Sequence, residues 1–249
     1  MDTDLNEQTL DKLRTLRLGG MYHLMKTSLD TDRITTLTAD EWLHELVQAE
    51  WDERQNRSID MRIRLARFRY RASLEEVHYG TDRGLDRGQV ERLAACSFID
   101  KAEPVVITGS TGSGKSYLAS ALGHHACARG YKVIYHHMPK LLSRLKMSKA
   151  DGSYIKEVAR IEKQQLLILD DFGLQPLDAQ GRNALMELVE DRHGKSSMII
   201  TSQVPVSSWH DIIGEHTVAD AILDRIVHAA HRVELTGESM RKRRTTAGS

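Results

Sequence analysis

Apolar positions fall into two different rhythms along this chain. In the first stretch Leu10, Leu13, Leu16, Met21, Leu24 and Met25 recur at helical spacing and Gly19-Gly20 interrupts them, which predicts two short helices with a bend between. A further helix opens at Thr38-Ala39-Asp40-Glu41, where the threonine can cap the first turn and the glutamate three residues on can reach back to its N–H. Trp42, Leu43, Leu46, Val47 and Trp51 line one face of that helix. Residues 1–75 read as a small all-α N-terminal domain. A polar stretch spaced by Gly80, Gly84 and Gly88 follows, and Gly88 to Leu93 reads as a helix leading into the first strand.

From there the rhythm changes to short apolar runs separated by helical ones. Pro104 to Thr108, Lys132 to His136, Leu166 to Leu169, Met198 to Ile200 and Arg232 to Leu235 read as strands. Strands alternating with helices predict a parallel sheet, so residues 76–249 are expected to form an α/β domain with a parallel five-stranded sheet.

The turn after the first of these strands reads Gly109-Ser110-Thr111-Gly112-Ser113-Gly114-Lys115-Ser116, with Tyr117 and an alanine-rich helical run behind it. A strand, a turn of the form G-x-x-x-x-G-K-S and a helix starting at the lysine make a phosphate-binding loop, the Walker A motif. Glycines let the backbone curl so that its amides face a polyphosphate, and the helix N-terminus adds positive potential. Lys115 is expected to reach the β- and γ-phosphates of ATP, and Ser116 to hold Mg²⁺. The third strand ends in Asp170-Asp171, the Walker B arrangement, in which Asp170 anchors the metal through its water shell and Asp171 orients the attacking water. Gln203, at the polar end of the fourth strand beside Ser202, is placed to contact the γ-phosphate or that water.

Charge changes the picture only locally, because Lys+Arg and Asp+Glu balance at 35 each. Arg54, Arg57, Arg62, Arg64, Arg67, Arg69 and Arg71 cluster in one stretch with Asp60 as its only acid, interleaved with apolar residues. Guanidinium groups so clustered suit phosphate backbones, which makes Arg62, Arg64, Arg67 and Arg69 candidate DNA contacts. A solvated helix face or pairing with a neighbouring subunit are the alternatives. The two cysteines lie far apart without a C-x-x-C, which fits a reducing compartment. The acidic N-terminus lacks a signal-type apolar run and no segment reaches membrane-spanning length, so a soluble cytoplasmic protein without a membrane partner is expected. The pairs His124-His125 and His136-His137 do not share a helix or strand face, and no metal other than Mg²⁺ is expected.

Taken together, the Walker A loop, Leu166 to Gly173, Ile199 to Gln203, Ile222-Leu223-Asp224-Arg225-Ile226 and Gly237-Glu238-Ser239-Met240-Arg241 resemble the AAA+ ATPases of the DnaA/DnaC initiator and helicase-loader clade. Within it the pattern is most similar to the IstB-type transposition helper proteins of insertion sequences. The resemblance implies an AAA+ core and homo-oligomers with ATP sites between subunits; the chain departs from the AAA+ pattern in ending soon after Arg241, so the C-terminal helical lid is expected to be absent or vestigial. The resemblance implies further that Arg225 is an arginine finger entering a neighbour's site and that Arg241 is a weaker candidate for sensing nucleotide. It also implies that a helix between the second and third strands faces a central channel, making Lys140, Arg144, Lys146 and Lys149 a second candidate DNA surface. The tail Arg241-Lys242-Arg243-Arg244 is a further basic segment. Asp171 stands where many AAA+ enzymes carry glutamate, and slow turnover is expected from the shorter side chain. The implied activity is an ATPase that assembles on double-stranded DNA, bends or marks a target and recruits a DDE-type transposase. A DnaC-like helicase loader is the alternative, ahead of a small-molecule P-loop kinase, for which no arginine-rich lid segment is evident.

Overall fold

The computed structural model of the chain describes residues 2–31, 37–80 and 83–237. By contact density it divides into two units, Met1–Met61 and Arg62–Ser249.

The first unit holds α1 (Asp2–Thr15), α2 (Gly19–Asp30) and the first part of α3 (Ala39–Ala66). The capping box forms as the sequence predicts: Thr38 N–H donates to Glu41 Oε2 at 2.9 Å and Glu41 N–H to Thr38 Oγ1 at 3.4 Å. The glycine pair opens α2, and at Gly20 a Cβ would stand 2.2 Å from the Ala49 carbonyl oxygen, so only glycine permits this approach of α2 to α3. Gly20 N–H donates to the buried Glu50 carboxylate at 2.9 Å, and Arg54 Nε closes the ion pair at 2.7 Å. Helix α3 then continues without a break through Arg62 and Arg64 to Ala66, a 28-residue helix where the sequence suggested a block followed by a separate basic stretch. Arg67, at φ 58°, takes the left-handed conformation that ends it.

In the second unit the elements run α4 (Arg87–Ala94), α5 (Ser97–Asp100), β1 (Val105–Gly109), α6 (Lys115–Ala128), β2 (Val133–His137), α7 (Met138–Asp151), α8 (Tyr154–Glu162), β3 (Leu166–Phe172), α9 (Ala179–Arg192), β4 (Ser197–Ser202), α10 (Trp209–Ile213), α11 (His216–Val227) and β5 (His231–Leu235). The strands form one five-stranded sheet in the order β2-β3-β4-β1-β5, with every neighbouring pair parallel. Because side chains alternate across a strand, β1 to β4 each feed two cores, whereas β5 at the sheet edge buries only Val233 and Leu235, on one face. Val105, Ile107, Ile168, Ile199 and Val233 pack with α4, α5 and α6. Val106, Leu167, Leu169 and Ile200 pack with α7, α9, α10 and α11 on the other face. Burial on both faces is why β1, β3 and β4 read as near-continuous apolar runs. Each fully covered Leu or Ile contributes roughly 1.5–3 kcal/mol.

Arg192 is a charge placed inside this architecture. It is 2% exposed, yet donates to the carbonyls of Ile161, Gln164 and Ser197, tying the end of α8 to the start of β4. Burial pulls its pKa down to about 10.

Candidate nucleotide-binding site

The sheet order puts β1 in the interior and brings the ends of β1, β3 and β4 side by side, where open parallel sheets bind ligands. The loop leaving β1 depends on two glycines. Gly109 (φ 148°) lies so close to β5 that a Cβ would stand 2.2 Å from the Leu235 carbonyl oxygen. Gly114 (φ 98°) precedes α6, and a Cβ there would meet Arg83 Nη2 at 2.7 Å. That same Arg83 nitrogen donates to the Ser113 carbonyl at 2.7 Å, while Nη1 donates to the His78 carbonyl at 2.7 Å. A buried guanidinium thus props the loop from behind. Lys115, also buried, opens α6 and donates through Nζ to the Ser110 carbonyl at 2.8 Å. Ser113 Oγ is buried without a hydrogen-bond partner among the described residues.

Across from the loop, β3 delivers the two acids. Asp170 is fully buried and every bond to it comes from a donor: Ser116 Oγ at 2.7 Å and Thr201 Oγ1 at 2.5 Å to Oδ1, and the Tyr135 hydroxyl and Arg69 Nη1 (3.4 Å) to Oδ2. Burial, then the bonded carboxylate, drive the Tyr135 phenol pKa far up, so it stays a donor. Asp171 is not the last regular residue of a strand, as the sequence suggested. The strand continues to Phe172 through an irregularity in its pairing with β4, and Asp171 sits at φ 64°. A non-glycine residue held there costs on the order of 1–3 kcal/mol. The bulge is fastened by the Asp171 N–H donating to Thr201 Oγ1 at 3.1 Å. It turns the carboxylate into the cleft, where Oδ2 lies 3.1 Å from Arg69 Nη1 and 3.4 Å from His137 Nε2. At the end of β4, Gln203 Oε1 accepts from Thr111 Oγ1 at 2.5 Å, joining the polar strand end to the loop.

These groups line a cleft of about 310 Å³ that includes Thr111, Gly112, Lys115, Ser116, Tyr117, Asp171 and Gln203. A larger cleft of about 400 Å³ adjoins it, sharing Asp171 and Leu174, but none of its walls comes from the glycine-rich loop. The smaller one is therefore the candidate site. Ser116 Oγ and Asp170 Oδ1 form a close all-oxygen pair of the kind a hard divalent ion takes, so the residues fit Mg²⁺.

The remaining expected residues lie elsewhere. Arg225 is on α11, outside the cleft lining; its Nη1 donates to the Ala221 carbonyl at 2.8 Å and its Nε stands 2.8 Å from Glu190 Oε2. Lys140, Arg144, Lys146 and Lys149 are all exposed on α7, with Leu141 and Leu145 buried beneath them. Three of the four have local partners: Arg144 with Glu157 at 3.7 Å, Lys146 with Asp178 at 3.3 Å, and Lys149 over the Tyr154 ring. Arg64 and Arg67 are exposed and Arg62 half-buried, whereas Arg69, grouped with them in the sequence, turns onto the acidic pair. Arg241 lies outside the described residues. Sequence reasoning missed Arg69, Arg83, Tyr135 and Thr201 as parts of this site. Tyr135 lies within the segment that the sequence predicts as the second strand and Thr201 directly follows the predicted fourth, but their meeting at Asp170 depends on the strand order β2-β3-β4.

A parallel sheet of this order, with a phosphate-binding loop after β1 and an acidic pair closing β3, defines a P-loop domain of the AAA+ type. The family model described as "IstB-like ATP binding protein" matches residues 11–248, and the chain belongs to that family. It is 45% identical over 238 residues to the insertion-sequence ATP-binding protein y4pL of Sinorhizobium fredii, covering 96% of this chain and 97% of that one. It is 30% identical to a protein of Pseudomonas aeruginosa described as the ATP-binding protein of insertion sequence IS21, over 95% of this chain and 89% of that one. Among solved structures, DnaI matches with a TM-score of 0.57 at 25% identity, covering 67% of this chain and 92% of that chain. The replication initiator DnaA bound to AMPPCP and single-stranded DNA matches with a TM-score of 0.58 at 19% identity, over 73% and 56%. The chain is therefore an ATP-binding protein of the insertion-sequence type on an initiator-like fold. Among the described residues no helix is long and apolar enough to cross a membrane.

Proposed function

We propose that this protein is an ATP-driven assembly factor that oligomerises on double-stranded DNA and recruits the DDE-type transposase of its own element. The observation that carries the reading is the junction of the two motifs. Ser116 at the start of α6 and Asp170 at the end of β3 share one hydrogen bond, with Lys115 one residue from the first and Asp171 one residue from the second. Lys115 and the loop bind and orient the polyphosphate, and Asp171 holds and aligns the attacking water. Ser116 and Asp170 hold Mg²⁺, which when bound neutralises charge on the phosphates and orients them. Gln203, joined to Thr111, lies where it can report whether a γ-phosphate is present.

Arg225 supplies the dependence on assembly. It stands away from its own chain's cleft and is half-buried beside Glu190, so on this reading it serves a neighbouring subunit's site. A cation arriving in trans makes hydrolysis conditional on oligomerisation. The exposed arginines Arg64 and Arg67 and the α7 row of Lys140, Arg144, Lys146 and Lys149 are the candidate phosphate-backbone contacts, which position a protein on DNA without reading bases. Membership of an insertion-sequence family supports a transposase as the recruited partner. The likeness to DnaI keeps a helicase loader as the second reading.

The test is particle mass and duplex-DNA binding with ATP and with ADP, for the wild type, Lys115→Ala and Arg225→Ala. ATP-dependent growth on DNA, lost in both variants, is the expected result. A protein that stays monomeric and ignores DNA in every nucleotide state overturns the reading. Capture of the element's transposase but not of a replicative helicase separates the two partners.

A further inference from the structure

Arg69 is set onto the acidic pair by a built segment of chain. Between Asp60 and Glu75 the sequence has no acid, so Arg69 has no carboxylate close by in its own stretch. The segment carrying it is pinned along α6. Ala66 is fully buried, and Phe68 stacks on His124 with ring centroids 4.2 Å apart. His124 Nε2 lies 3.1 Å from the Tyr70 carbonyl, and Ser73 N–H donates to the Tyr117 hydroxyl at 3.5 Å. The pinning is close enough to exclude a side chain from α6: a Cβ on Gly123 would stand 2.4 Å from Phe68 Cε1. From this fixed base the Arg69 side chain, 41% exposed, reaches Asp171 Oδ2 at 3.1 Å and Asp170 Oδ2 at 3.4 Å.

We propose that Arg69 is the resident counter-ion of the Asp170–Asp171 pair and competes with the divalent metal for it. The inference rests on the nucleotide-site reading above and adds a positioning residue to it. A guanidinium bridging both acids neutralises part of the charge that a divalent ion would exploit, and two cations at the same carboxylates repel each other. Metal arrival therefore drives the Arg69 head outward while Phe68 and Tyr70 hold the backbone in place. The exposed side of the side chain gives it somewhere to go. Outside, it joins exposed Arg67 and Arg71, so loading the acids with metal frees a positive charge that the acids had neutralised on that segment.

The experiment titrates Mg²⁺ against the full chain at fixed fluorescent ATP analogue and reads the Mg²⁺ concentration for half-maximal nucleotide binding. Thermal unfolding with Mg²⁺ alone is followed in parallel. In Arg69→Gln the midpoint is expected to fall about 2–5-fold, the scale of a partly exposed ion pair. The Mg²⁺-induced rise in melting temperature should be larger than in the wild type. Arg69→Lys, which keeps the charge without the fork, should fall between, and Arg87→Gln controls for loss of one surface charge. An unchanged or raised midpoint in Arg69→Gln, with the wild type binding normally, overturns the counter-ion. A wild type that does not bind the analogue at all overturns the nucleotide-site reading itself.

Discussion

Ser116 donates its hydroxyl to Asp170 Oδ1 at 2.7 Å, and this bond joins the phosphate-binding loop to the acidic strand end. Two residues far apart in sequence thus form one close oxygen pair, which on the proposed reading holds the metal. Ser116→Ala should weaken Mg²⁺-dependent nucleotide binding by at least about tenfold, a loss on the order of 1.4 kcal/mol, and leave binding in EDTA nearly unchanged. Asp171→Asn should behave differently. Nucleotide binding survives while steady-state hydrolysis falls about 100-fold, since a neutral amide aligns and polarises the attacking water less well than a carboxylate. Equal losses of binding in both variants would contradict the division of labour between the Ser116–Asp170 pair and Asp171.

Arg225 gives a prediction of another kind. Its head sits against Glu190 and the Ala221 carbonyl within its own chain, with side-chain exposure of 25%. Arg225→Ala should change nucleotide affinity at low protein concentration by less than about twofold, because no contact in the binding cleft is lost. Hydrolysis at high concentration should fall by about 10³-fold or more, the scale of an arginine supplied in trans. Mixing Arg225→Ala with Lys115→Ala subunits should partly restore hydrolysis, and its failure to do so would argue against a shared site.

Gly123 tests the packing beneath Phe68. It lies in the middle of α6, where alanine is normally the better helix former by about 1 kcal/mol. Here the added Cβ meets Phe68 Cε1 at 2.4 Å and Ile168 Cδ1 at 2.8 Å. Gly123→Ala should therefore destabilise the fold by about 1–3 kcal/mol, measured as a lower urea midpoint at unchanged slope.

His136 confers a pH dependence. Burial on β2 lowers its pKa to about 4, and the positive charges of Arg144 on α7, Arg160 on α8 and Arg67 beyond α3 push the same way. The folded value lies below that of the unfolded chain, so the unfolded state takes up the proton first on acidification. Stability from this group is intact above about pH 6.5 and declines as the pH falls toward about 4, by on the order of 2–3 kcal/mol. His136→Gln should flatten the stability profile across that window, as read from denaturant midpoints at successive pH values.

The inner strands β1, β3 and β4 were legible because each is buried on both faces and so leaves an apolar run. Leu166 to Leu169 and Met198 to Ile200 fall within the observed β3 and β4. The loop residues Gly109 to Ser116 were legible for a different reason, since close backbone approach and a helix start admit few sequences. Arg69 was not legible. Its sequence neighbours Arg64 and Arg67 face solvent, and nothing local distinguishes it; only the folding of α6 beneath Phe68 carries it to acids far along the chain. The bulge at Asp171 was hidden for the same reason. Its cause is Thr201 on the neighbouring strand, a pairing that the periodicity of β3 alone does not contain.

The strand order has a bearing on biosynthesis. Val105 of β1 lies between Ile199 of β4 and His231 of β5, both of which emerge from the ribosome long after it. The strand that presents the glycine-rich loop has no early partner, and contacts between segments so distant in sequence form slowly. Leu235, whose carbonyl packs against Gly109, completes that support only with β5. A nascent chain cut short before β5 should therefore carry every residue of the Walker motifs and still lack a finished phosphate cradle.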